Sequence, residues 1–196
     1  MNAKSKRERI RERRKKARRR SNLIWLGVVV AVLILIGILV LPALKPALGE
    51  TVALMPSGVH ISLNSDPGQY TTDPPTSGPH YGSQLDAGFY DESDFAIIGP
   101  FPAGYIIHSM EHGYVVFWYN CNLFNGQLCD ELKANIQNVM DDANNFKVIA
   151  VPWETIDVPL VMTSWGRIQE FEDFDTALVS KFVSSNRNKS PEPNAP

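Results

Sequence analysis

Residues 114–153 read YVVFWYNCNLFNGQLCDELKANIQNVMDDANNFKVIAVPW, and a change of period within them decides the fold class. Tyr114 to Tyr119 is an unbroken β-branched and aromatic run, the composition that fits a pleated surface. Leu128, Leu132, Ile136, Val139, Met140 and Ala143 then recur at spacings of three and four, which draws one apolar stripe along a helix. Phe146 to Trp153 returns to a mostly apolar run of strand length, expected near the centre of a sheet. Strand, helix and strand in this order, within one stretch, point to mixed architecture.

Working outward, Leu160–Trp165 is expected as a further strand. Phe174, Ala177, Leu178, Phe182 and Val183 mark a second helix, with Asp173 as its N-cap. Upstream, Val59–Leu63, Phe95–Gly99 and Tyr105–His108 read as strands. Asn64 to Gly88 is dense in Pro, Gly, Ser, Thr and Asp and reads as a long loop; ordered loops of that length often carry function. The expected fold is α+β: one domain over residues 51–183, a mixed or antiparallel sheet and two main helices.

The chain's ends carry opposite charge. The first 20 residues hold 12 Lys/Arg against two Glu, and everything after them holds seven Lys/Arg against 19 Asp/Glu. The formal net charge of −2 hides both. Leu23 to Leu41 contains no charged residue, and at about 1.5 Å per helical residue it is long enough for a bilayer's hydrocarbon core. Residues 1–22 are thus expected as a basic cytoplasmic tail, 23–41 as a single transmembrane helix and 42–50 as a tether. The domain then lies outside the cell membrane by the positive-inside rule. A cleaved signal peptide has a shorter apolar core than this. The tail 184–196, rich in Asn, Ser and Pro, is expected to be disordered.

The expected partners are the lipid bilayer and a membrane protein complex or a basic protein surface; nucleic acid is not expected of so acidic a domain. Cys121 and Cys129, eight apart and in an oxidising compartment, are expected to form a disulfide, with metal binding by the pair as the alternative.

Chemistry concentrates in His108-Ser109-Met110-Glu111-His112 and in His80, which closes the stiff loop Pro74-Pro75-Thr76-Ser77-Gly78-Pro79. Imidazole and thioether ligate transition metals, and their combination favours copper over zinc. The candidate ligands are His80, His108, Met110 and His112. In a strand, residues 108, 110 and 112 share a face, but the outer pair sits too far apart to chelate comfortably. In a helical turn, His108 and His112 are neighbours, and Gly113 suits its left-handed end. The spacing leaves strand, bulge and turn open.

His60 is read as an exposed strand residue, with a fourth-ligand role as the alternative. Glu111 is read as a partner for Arg167 if the cluster is merely structural. The string also fits H-x-x-E-H, yet the β-rich flanks oppose the long helix which that protease motif needs. No nucleophile sits in a characteristic turn, so a non-catalytic role is favoured.

Two strings, Thr72-Asp-Pro-Pro-Thr-Ser-Gly-Pro-His80 and His108-Ser-Met-Glu-His-Gly-Tyr-Val115, together with Trp165-Gly-Arg167, resemble the hallmarks of a bacterial family of domains of unknown function. The resemblance covers most of residues 58–183. It implies a basic tail, one membrane helix and an extracytoplasmic domain, and it implies no activity. Two readings follow: a membrane-anchored metal-binding domain, and a non-catalytic accessory or assembly subunit in which the histidines hold the fold.

Overall fold

A computed structural model describes residues 3–40, 47–56 and 60–195. The chain divides into two units, residues 1–46 and 47–196.

The described residues of the first unit form one helix, α1, Ala3–Val40. Its apolar side chains from Leu23 to Ile38 are exposed. Among the described residues no helix is long and apolar enough to cross a membrane; the described side chains of this apolar stretch run from residue 22 to 38. Residue 41 of the expected span and residues 42–46 of the expected tether lie outside the described residues.

The second unit is α+β. A six-stranded mixed sheet is built from β1 (Glu50–Thr51), β4 (Gly88–Phe89), β5 (Val115–Tyr119), β6 (Val148–Pro152), β7 (Leu160–Ser164) and β8 (Arg167–Phe171). Its order is β1-β8-β7-β5-β6-β4. A separate parallel pair joins β2 (His60–Ile61) to β3 (His80–Tyr81). Among the described residues four further α-helices follow in chain order: α2 (Glu92–Phe95), α3 (Ala103–Glu111), α4 (Gly126–Asp142) and α5 (Thr176–Asn186).

β5 lies between β6 and β7 and is buried on both faces, so alternation sorts its side chains rather than its polarity. Val115, Phe117 and Tyr119 join Leu132, Ile136, Val139 and Met140 of α4 and Val179, Phe182 and Val183 of α5. Val116 and Trp118 join Ile106, Ile107 and Met110 of α3. The sheet is thus the middle of three layers. β5 and β6 are parallel because α4 carries the chain back between them. β7 and β8 need only a tight turn, made by Gly166 at φ 65°, and run antiparallel.

The core elements match their apolar periods; the elements near the candidate site differ from expectation. Tyr105–His108 is helix, not strand. Ala103, Ile106, Ile107 and Met110 fall at helical spacing and all are buried, and that stripe outweighs the β-branched composition. Phe95 ends the short helix α2 instead of opening a strand, because Asp91 caps it through the Ser93 and Asp94 amides. α5 is capped by Asp175, not Asp173. β8 has no clear signature in the sequence, because its burial is too uneven to leave an alternation. Val59 of the expected Val59–Leu63 strand lies outside the described residues, which leave His60–Ile61 as β2. The tail expected to lack structure instead continues α5 to Asn186, and its residues 188–195 bond to the domain. Cys121 and Cys129 form a disulfide at the start of α4, with Cα atoms 5.2 Å apart.

Candidate metal centre

α3 explains why His108, Glu111 and His112 meet while Met110 does not. At about 100° per residue, positions i+3 and i+4 return to the face of His108, whereas i+2 points away from it. Glu111 and His112 therefore lie beside His108. Met110 enters the core, where its Sδ accepts a hydrogen bond from Thr163 Oγ1 at 3.3 Å. The structure thus separates the thioether from the imidazoles. The helix ends as its sequence suggests, with Gly113 at φ 92° directly after it.

α3 packs closely on β3. A Cβ on Gly104 would lie 2.6 Å from the Tyr81 ring, so only glycine lets helix and strand approach this far. That approach brings His80, fully buried, to Glu111: His80 Nε2 lies 2.9 Å from Glu111 Oε2. Glu111 thus pairs with His80. The expected partner, Arg167, donates instead to the Gly49 carbonyl. His60 arrives by backbone pairing. It stands opposite His80 in the β2–β3 ladder, and its ring centroid lies 5.0 Å from that of His80 and 5.1 Å from that of His108.

The result is a four-residue cluster in which one donor atom each from His60, His80, His108 and Glu111 lies within 4.8 Å of the others. Metal–nitrogen and metal–oxygen bonds of about 2.0–2.2 Å set donors of one ion roughly 3–4 Å apart, so a small contraction suffices. His60 is exposed and the other three are buried, which gives the cluster one side open to solvent.

His80 carries the clearest chemical signature. Its Nδ1 is 2.7 Å from the Gly78 carbonyl, an acceptor only, so Nδ1 bears the proton and donates. In the neutral ring Nε2 is then a bare lone pair, and it faces a carboxylate oxygen. Two such acceptors at 2.9 Å require a second proton or a cation between them. A ring held by N–H···O=C on one side with its other nitrogen aimed into a cluster is the usual arrangement of a metal-ligating histidine.

His108 fits the same pattern. Its Nδ1 is buried and has no hydrogen-bond partner. Burial, followed by the nearby His112, His80 and His60, pushes its pKa down to about 4, against the pull of the Tyr81 backbone. It is a neutral base at physiological pH, the form that binds metals.

His112 is adjacent, its ring centroid 4.4 Å from that of His108. It is held by other partners: Nδ1 lies 2.9 Å from Gln84 Oε1, and Nε2 lies 3.6 Å from Glu192 Oε2. Of the sequence-derived ligands, the structure therefore gathers His80 and His108, sets His112 beside them and places Met110 in the core. It adds Glu111, and it brings in His60, which is the exposed strand residue expected and also stands in its alternative place as a fourth cluster member. The signal for Glu111 was its i+3 spacing from His108 on a helix. His60 had no local signal, because its position depends on a strand pair that joins distant segments.

Two other features lie apart from the cluster. Glu92 sits near Cys121 and Cys129, but those sulfurs are joined and offer no thiolate. A cleft of about 590 Å³ is lined by Tyr70, Phe101, Trp153 and several prolines, and none of the clustered histidines lines it.

No curated protein and no solved structure matches the chain. A family model does match residues 62–196, a stretch that begins just after His60, holds His80, His108, Glu111 and His112, and runs on through the C-terminal segment. By that match the chain belongs to the family described as Protein of unknown function (DUF3105).

Proposed function

We propose that the domain binds one divalent transition-metal ion through His60, His80, His108 and Glu111, and that α1 holds it at the outer face of a membrane. The observation that carries the reading is His80, whose Nδ1–H is committed to Gly78 while Nε2 faces the Glu111 carboxylate at 2.9 Å. With Met110 in the core, the soft ligand that favoured copper(I) is absent from the donor set. Three imidazoles and one carboxylate suit zinc, which takes such ligands tetrahedrally, and we place zinc ahead of copper for that reason. Four protein ligands fill a tetrahedral ion, which supports a role in holding or handing on metal rather than in catalysis. The acidity of the chain after residue 20 favours cations at its surface.

The test uses the full chain purified in detergent, loaded separately with Zn²⁺, Cu²⁺ and Cu⁺ and dialysed against a weak chelator. About one Zn²⁺ per chain is expected, with affinity reduced at least roughly tenfold in His80→Ala and Glu111→Gln. Equal metal retention by the native chain and a His60→Ala/His80→Ala/His108→Ala variant refutes the site.

The same contact supports a second reading. A protonated His80 against Glu111 is a buried ion pair that fastens α3 to β3, as an assembly module for a membrane complex would need. On that reading, breaking the pair costs about 3–5 kcal/mol of stability. His80→Ala would then lower Tm strongly while metal shifts neither protein's Tm.

A further inference from the structure

The helix that supplies His108 and Glu111 caps only part of its own C-terminal end. The last carbonyls of an α-helix lack intrahelical partners, and a helix end buried without substitutes is unstable. In α3 those of Ser109 and Met110 are satisfied locally by the amides of residues 112–114. Those of Glu111 and His112 are satisfied from far along the chain. The Glu192 amide donates to the Glu111 carbonyl at 3.0 Å. The Lys147 ammonium donates to the His112 carbonyl at 2.8 Å.

Lys147 is itself buried, and an ammonium has three N–H donors to satisfy. The other two go to the carbonyls of Pro193, at 3.0 Å, and Ala195, at 2.9 Å. Two more contacts fasten the same segment. The Asn188 amide donates to the Gly113 carbonyl at 2.9 Å, and Glu192 reaches His112. Asn188 also packs on Gly113 so closely that a Cβ there would lie 2.8 Å from the Asn188 Cα. The strap formed by Asn188–Ala195 and the end of α3 thus share one set of bonds. If the strap lifts, Lys147 loses two of its three acceptors, Glu111 loses the partner of its carbonyl and His112 loses a carboxylate.

We propose that this strap regulates the metal site: docked, it holds the last turn of α3 in the geometry that presents Glu111 and His108 to the ion, and undocked, it lowers the affinity. The inference rests on the metal reading above. Lys147 is a positioning residue here, acting through the His112 carbonyl and the strap. Coupling between two equilibria is reciprocal, so bound metal must hold the strap down as much as the strap favours metal. Couplings of this kind change affinity about 5–150-fold.

The closing experiment measures amide hydrogen exchange in the full native chain, with and without saturating Zn²⁺, together with Zn²⁺ affinity in the native chain and in Lys147→Met. The expected result is exchange at the Asn188 and Glu192 amides slowed at least about fivefold by Zn²⁺, and a dissociation constant raised at least about fivefold in the variant. The exchange measurement needs no variant, so misfolding of Lys147→Met leaves it decisive. If the native chain binds Zn²⁺ and exchange in residues 188–195 is unchanged, the strap inference alone falls. If the native chain binds no Zn²⁺, the site and the strap's role fall together.

Discussion

His108 enters the cluster as a neutral imidazole, and this has a consequence that needs no metal to observe. Its pKa in the fold is about 4, below the 6.5 of an ordinary histidine. Between those values the unfolded chain binds more protons than the folded one, so stability rises with pH across the interval. The contribution is complete above about pH 6.5 and is lost as pH falls towards 4. Urea unfolding of the metal-free chain at half-unit steps between pH 4 and 7 should show this slope, and His108→Gln should flatten it. An unchanged slope in the variant would mean that His108 is not desolvated. The residue types of the site were legible in the sequence: His80 and His108 stood out by rarity and by their stiff or clustered settings. Glu111 is visible in the sequence, with Arg167 as its partner only if the cluster is structural, since charge pairing from sequence alone cannot see which oxygen faces which ring.

At the scale of the element, α3 has two faces with separate duties. Ile106, Ile107 and Met110 pack on the sheet, while His108 and Glu111 face β3 and β2. Substitution at Met110 distinguishes the faces. Met110→Leu should cost under about 1.5 kcal/mol, because the volume is conserved. Met110→Ala should cost about 2–5 kcal/mol by leaving a cavity beside Trp118 and Val116. In neither variant should metal stoichiometry change; its loss in Met110→Leu would return the sulfur to the ligand set.

Where periodicity was strong, the elements were readable: β5, α4, β6, β7 and α5 all lie where apolar spacing put them. α3 was not, because Tyr105, Ile106 and Ile107 have strand-like composition and their helical spacing spans only nine residues. β2 and β3 are two residues each, too short for any period to register.

On the scale of the whole molecule, the chain joins a cationic helix end, an exposed apolar helical stretch and an acidic domain. If α1 is an anchor, the full chain should remain in the membrane pellet after alkaline carbonate extraction, and a variant beginning at residue 47 should not. Release of the full chain would exclude a spanning helix. The acidic domain's α+β class and mixed sheet followed from sequence pattern, whereas the docking of residues 188–195 did not. Its attachments are backbone amides, carbonyls and one lysine, and none of these leaves a mark in hydropathy.

The β2–β3 pair has one more consequence. Two residues of parallel ladder make a weak joint, and it sets His60 opposite His80. An ion held by His60, His80 and His108 would tie three segments that are far apart in sequence, as a cross-link does, and would restrict the chain most where its own bonding is thinnest. Metal loading would then fasten a seam between β2, β3 and α3, and unloading would release it.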